Sequence, residues 1–160
     1  MHILQSALRI CLLSSLLFGC SGGSSQVVPL VPVNGIVNLD GKPLANANVR
    51  FIPQPSPTAT GKVLVEESTG VTRKDGSFTL AGIHAGAGPG AMAGEHRVVI
   101  DKMVMKADGS DAPANYDFAI MSNKIKQLLP PQYSDPNKTT LTATVPKAGG
   151  PINFDLVTKP

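Results

Sequence analysis

Cys20 is the residue whose type and setting most invite chemistry. Its thiol follows Leu17-Phe18-Gly19 and precedes Ser21-Gly22-Gly23-Ser24-Ser25-Gln26. A thiol is a good nucleophile, and small neighbours leave it open to a modifying enzyme. The chain's other cysteine, Cys11, lies in an apolar run, so nothing after residue 20 can form a disulfide, a thiolate zinc site or a cysteine nucleophile. Two histidines follow, His84 and His96. They lack close spacing and clustered carboxylates, so a metal site is not expected. His84 is expected at the surface or rim. His96 shares parity with apolar neighbours and is expected to be partly buried and hydrogen-bonded near the start of its strand. The pairs Asp40-Gly41, Asp75-Gly76 and Asp108-Gly109 lack the alternating oxygen ligands and closing glutamate of a calcium loop, and read as turns. The serines at 21, 24 and 25 precede no base. The "GAGPG" run carries Pro89 and no following Lys-Ser/Thr, unlike a phosphate loop. No catalytic residue and no cofactor is expected, and the chain reads as a non-enzyme.

The segment that positions Cys20 has the form of an address. Residues 1–9 hold one charged side chain, Arg9, and residues 10–18 are largely apolar. A bilayer span needs about 20 apolar residues, so this run is too short, but it suits the core of a signal peptide. Leu17-Phe18-Gly19-Cys20 resembles the bacterial lipobox, with leucine at −3, a small residue at −1 and the cysteine. Phe18 is an unusual occupant of the −2 place. The resemblance implies that Leu17, Phe18 and Gly19 are read by the signal peptidase. Cys20 then becomes the new N-terminus, carrying a diacylglyceryl thioether. Two acyl chains anchor stably, because each buried CH₂ contributes roughly 0.8 kcal/mol. A plain secretory signal cleaved near Gly19, or a short membrane anchor, is the competing reading. The expected organisation is a signal peptide over 1–19, a lipidated cysteine and flexible tether over 20–32, and one folded domain over 33–157. The expected location is the cell membrane or outer membrane, facing an extracytoplasmic compartment.

Composition bounds the folded part. The chain has 160 residues, 16 glycines, 14 prolines, 4% aromatic and 16% charged residues. That favours many turns and short strands. The net charge of +3 is scattered, which gives no footprint for nucleic acid. The cationic stretch Lys102 to Lys106 could touch anionic lipid or polymer, although lysines on a strand more often keep its edge unpaired.

Period-two alternation runs through the chain after the tether. Val33, Val37 and Leu39 share one face, as do Val49 and Phe51, Val63 and Val65, Phe78 and Leu80, and Val98 and Ile100. Thr140 to Val145 alternates threonines outward with apolar residues inward, and Ile152, Phe154 and Leu156 repeat the device. Residues 70–80 read as a hairpin about Asp75-Gly76, and residues 53–61 and 85–94 as loops. Met121, Ile125, Leu128 and Leu129 have helical spacing and predict a short helix within 117–129, stopped by Pro130-Pro131. About seven strands predict an all-β sandwich.

The order of short motifs resembles a known family. Gly35-Ile36-Val37, Asp40-Gly41-Lys42-Pro43-Leu44 and Phe51-Ile52-Pro53, then "GVTRKDGSFTL" and "GAGPGAMAGEHRVVI", are similar to carboxypeptidase-regulatory-like domains, which are transthyretin-like seven-stranded β-sandwiches. The stretch from "LLPPQYSDP" to "GGPINFDL" resembles the tail of small exported lipoproteins of planctomycete bacteria. The resemblance spans roughly residues 33–157 and implies fold and location, with no established activity. It does not extend to the transthyretin-like hydrolases of 5-hydroxyisourate, whose pattern has a histidine where Asn34 stands and a Tyr-Arg-Gly-Ser where this chain reads Val157-Thr158-Lys159-Pro160. The expected role is structural or interactive, at a lipid surface reached through Cys20, with an unidentified envelope polymer or protein as further partner. The alternative is a lipoprotein that binds glycan or peptide through loops 53–61, 85–94 and 102–138.

Overall fold

The computed structural model describes residues 26–27, 29–54, 63–64, 66–113 and 122–158. Its elements are strands β1 (Gln26–Val27), β2 (Leu30–Val31), β3 (Val33–Leu39), β4 (Lys42–Pro43), β5 (Asn48–Pro53), β6 (Val63–Leu64), β7 (Ser68–Val71), β8 (Ser77–Thr79), β9 (Ala81–Gly82), β10 (Ala91–Met92), β11 (Gly94–Asp101), β12 (Met103–Met105), β13 (Ile125–Gln127), β14 (Thr142–Val145), β15 (Gly150–Pro151) and β16 (Phe154–Leu156), and one short helix, α1 (Pro131–Ser134). The all-β expectation holds.

Two sheets carry the architecture. One is fully antiparallel, in the order β14-β11-β5-β7-β9. The other is centred on β3, which pairs antiparallel with β8 and β4 and parallel with β15 and β16. Alternation explains what each face does. Val49 and Phe51, Val98 and Ile100, and Ala143 and Val145 turn one face of the five-stranded sheet inward. Val33, Val37, Phe78, Phe154 and Leu156 answer from the β3 sheet, and all belong to one buried cluster. Three aromatic rings cross the interior. Phe51 meets Phe154 edge-on at 6.1 Å between centroids, and Phe154 stacks on Phe78 at 6.5 Å. The layers are therefore sandwich-like, with side chains of both inner faces forming the core.

Four expectations need correction. First, residues 70–80 are not a two-stranded hairpin. The turn forms, closed by Gly76 N–H to the Arg73 carbonyl at 2.9 Å, but β7 pairs with β5 and β9 while β8 pairs with β3. Buried Thr72 directs the parting. Its hydroxyl accepts the Ala47 N–H at 2.8 Å and its own N–H reaches the Ala47 carbonyl, which holds the chain to the β5 side before the turn carries it across. Second, within the described part of 117–129, Ile125–Gln127 is a strand paired with Met103–Met105. The spacing Met121, Ile125, Leu129 is even, and so fits period two as well as a helix. Leu128, the residue that broke the even spacing, is 40% exposed. The one-turn helix begins at Pro131, where proline fits the first helical position because its missing N–H has no partner to lose there. Third, the 85–94 stretch is not all loop. Ala91 and Met92 are buried and pair with Val31 and Leu30. The backbone packs close there, and a Cβ on Gly90 would overlap the Val31 carbonyl. Fourth, ladders begin inside the expected tether, since β1 pairs with β6 and β2 with β10.

Candidate functional site

Residues Leu17, Phe18, Gly19 and Cys20 lie outside the described residues, as do Pro55 to Gly61 of the 53–61 loop. Four features of the described part can be weighed as sites.

The first is a cleft of about 440 Å³ at one end of the sandwich. Pro32 and Asn34 from the start of β3, Thr79 after β8, Pro89 from the 85–94 loop, and Ala148 and Pro151 around β15 form its walls. Long-range pairing brings these stretches together. The Gly150 N–H bonds to the Pro32 carbonyl at 2.9 Å, and the Ile152 N–H to the Asn34 carbonyl at 2.8 Å. The positive φ of Gly149, 74°, lets the 146–149 turn come in under Pro32, whose carbonyl a Cβ at Gly149 would overlap. Pro32, Pro89 and Pro151 recur around it, and Asn34 and Thr79 are the lining residues with polar side chains.

The second feature is His84. Its Nδ1 lies 2.6 Å from Glu66 Oε2, and its backbone N–H donates to Glu66 Oε1 at 2.9 Å. The bond from the His84 backbone is the leading cause that holds the Glu66 carboxyl below the usual range. His84 is on the rim, as expected, and it ties the turn after β9 to the segment before β7. Among the described residues no group of three or more His, Cys, Asp or Glu is placed to hold a metal ion.

The third is His96, which is 1% exposed on the inner face. Its ring lies 5.5 Å from that of Phe51, and Nδ1 is 3.1 Å from the Gly94 carbonyl. Nε2 is buried without a partner. The carbonyl can only accept, so Nδ1–H donates, and a proton on Nε2 would be a buried donor with no partner, which disfavours the charged ring. Burial pushes the imidazole below its usual 6.5, against the pull of the Gly94 carbonyl. The unfolded chain then takes the proton more readily, so stability is complete above pH 6.5. It declines as pH falls from there to the folded-state pKa. The unfolding midpoint in urea of the native chain is expected to drop across that window relative to that of His96→Gln. Asp40, Asp111 and Glu66 have lowered values, so their losses begin only below their ordinary 3.8 and 4.5, while Asp101, raised by burial, gains stability as pH falls in both chains alike, so the difference between the two chains reports His96.

The fourth is the cationic stretch at 102–106. Lys102 is not a solvent-facing charge. Its side chain is 12% exposed, with Nζ 2.8 Å from Asp111 Oδ1 and 2.6 Å from the Ala45 carbonyl. The bonds from Lys102 and Asn46 hold the Asp111 carboxyl below the usual range. Gln127 Oε1 accepts the Lys102 backbone N–H at 2.9 Å. Together these bonds fasten the β12–β13 ladder to the turn before β5. Composition could not show that this lysine faces inward.

Sequence reasoning also passed over two arginines. Arg50 lies opposite Val99 and Arg97 opposite Ile52, so both stand on the outer face of the five-stranded sheet, and the Nε of each is buried without a hydrogen-bond partner. Strand parity was the available signal, because Val49 and Phe51 inward puts Arg50 outward. Nearby Asp101 is held above the usual carboxylate range by burial, against its bond with Asn48 and the charge of Arg50.

No family model matches the chain, and neither does any curated protein or any solved structure.

Proposed function

We propose that this chain is a non-catalytic β-sandwich module of the bacterial cell envelope. More particularly, it is a lipoprotein held at the membrane through acylated Cys20, with a structural or interaction role and no cofactor. The carboxypeptidase-regulatory-like resemblance and the planctomycete lipoprotein type belong to this proposal. The observation that carries it is Leu17-Phe18-Gly19-Cys20, set after an apolar run too short to cross a bilayer and before the first strands of the domain. The test is the intact mass of the N-terminus of protein taken from a native membrane fraction. Native protein is expected to begin at Cys20 with a diacylglyceryl group. Cys20→Ala is expected to lose that mass and to leave the lipidated membrane pool entirely. An unmodified N-terminus elsewhere would sink the proposal and favour a freely secreted or uncleaved form.

A second reading, a ligand-binding lipoprotein for glycan or peptide, draws support from the cleft, because the 85–94 loop supplies part of its wall. Under that reading, saturable binding of a glycan or peptide probe is abolished by Ala148→Trp, which fills the cleft from an exposed turn, while the urea midpoint stays unchanged. Retained binding in that variant would remove the cleft from consideration.

A further inference from the structure

We infer that the sandwich stands with its cleft-bearing end toward the bilayer, so that the surface this end meets is the lipid headgroup layer. The inference rests on the anchoring reading above and adds an orientation to it.

The argument is one of chain length and attachment point. Leu30 lies ten positions after Cys20. Ten residues reach at most about 35 Å when fully extended. From Leu30 onward the chain belongs to the fold. Leu30 and Val31 pair with Met92 and Ala91, and the Pro32 carbonyl accepts the Gly150 N–H. The pairing of Gln26 and Val27 with Val63 and Leu64 shortens the free length to six positions, or about 20 Å at full stretch.

The attachment is at one end of the molecule. Pro32 and Asn34 line the cleft, and β3 then runs away from it over seven residues to Leu39. That run carries the chain roughly 23 Å, so the Asp40-Gly41 turn and exposed Lys42 stand at the far end. The free length of the tether is thus comparable with the length of the domain. A domain on so short a leash, fastened at one end, keeps that end nearest the membrane. Charge does not set the placement. Lys147 is at this end, but so are Glu66 and Glu95.

The experiment uses the full lipidated chain, purified from membranes and added from outside to phosphatidylcholine vesicles. Once Cys20 is a thioether, an introduced cysteine is the sole free thiol. Ala148→Cys puts it in the exposed turn beside the cleft, and Lys42→Cys at the far end. A small maleimide is expected to label both. A bulky polymer-maleimide is expected to label position 42 and to lose its reaction at position 148. Detergent, or a long Gly-Ser insertion after Ser25, is expected to restore labelling at 148. Equal bulky labelling of both positions in a chain whose mass shows the lipid overturns the orientation and leaves the anchor standing. An N-terminus without lipid overturns the anchor and the orientation together.

Discussion

Phe51→Ala is expected to cost about 3–5 kcal/mol of folding stability, as for other large-to-small changes at fully buried aromatic positions. Phe51 has no exposed surface and sits between the sheets, in ring contact with Phe154 across the core and with His96 on its own sheet. Truncation removes the edge-on pair and leaves a space that β5 cannot close, since its backbone is bonded on both sides by β11 and β7. A single domain has only about 5–15 kcal/mol in hand, so this one change consumes a large part of it. At about 4 °C per kcal/mol, the melting temperature is expected to fall by roughly 12–20 °C. Ile36→Ala supplies the contrast. Ile36 alternates outward on β3 and is 42% exposed, so its removal should stay within about 0.5 kcal/mol. Similar urea midpoints for the two variants would mean that the sheets do not face each other across Phe51.

The second large effect is expected from Gly35→Val. On strand propensity alone this change should stabilise, because valine is favoured in strands and glycine is not. The structure reverses the sign. A Cβ at Gly35 would overlap the Ile152 carbonyl and come within 2.8 Å of the Phe78 ring. The carbonyl is backbone and cannot step aside without breaking the Ile152 N–H bond to the Asn34 carbonyl. Overpacking typically costs 1–3 kcal/mol, and a clash against both a fixed carbonyl and a core ring belongs at about 3 kcal/mol. Chemical denaturation of Gly35→Val beside the native protein decides it, and a raised midpoint would refute the close packing of β3 against the 150–156 segment.

Much of the layer structure was legible because burial in a sheet has period two. Val33 and Val37, Val49 and Phe51, Val98 and Ile100, and Phe154 and Leu156 each announced an inner face, and each is buried or nearly so. Alternation says which way a side chain points, but not which sheet its strand joins. That is why Ser68–Val71 and Ser77–Thr79 looked like one hairpin while belonging to two layers. The even spacing through Ile125 and Leu129 was ambiguous for the same reason, since four is a multiple of two and close to one helical turn. Ala91 and Met92 were hidden by their neighbours, because a run of glycine and alanine carries no pattern even where it is buried. The cleft had no local signal at all. Its walls come from the start of β3, the end of β8, the 85–94 loop and the turn before β15, joined only by pairings across the whole chain. The rim position of His84 and the burial of His96 were legible, whereas the inward turn of Lys102 depends on Ala45, Asp111 and Gln127, none of them its neighbours in sequence.

The parallel pairing of β3 with β15 and β16 sets an order of events for folding. Asn153 Oδ1 receives the Ile36 N–H across 117 positions, and the Phe154–Leu156 ladder closes the same separation. A growing chain that has delivered β3 but has not reached residue 150 holds a central strand with one side open and a core without Phe154 and Leu156. Contacts of such long range form late, because loop closure is paid for before they repay it. The domain is thus slow to become compact during synthesis. Under the proposed envelope reading, in which the chain crosses a membrane before it is anchored, that delay would leave the last strands to complete the sandwich on the far side.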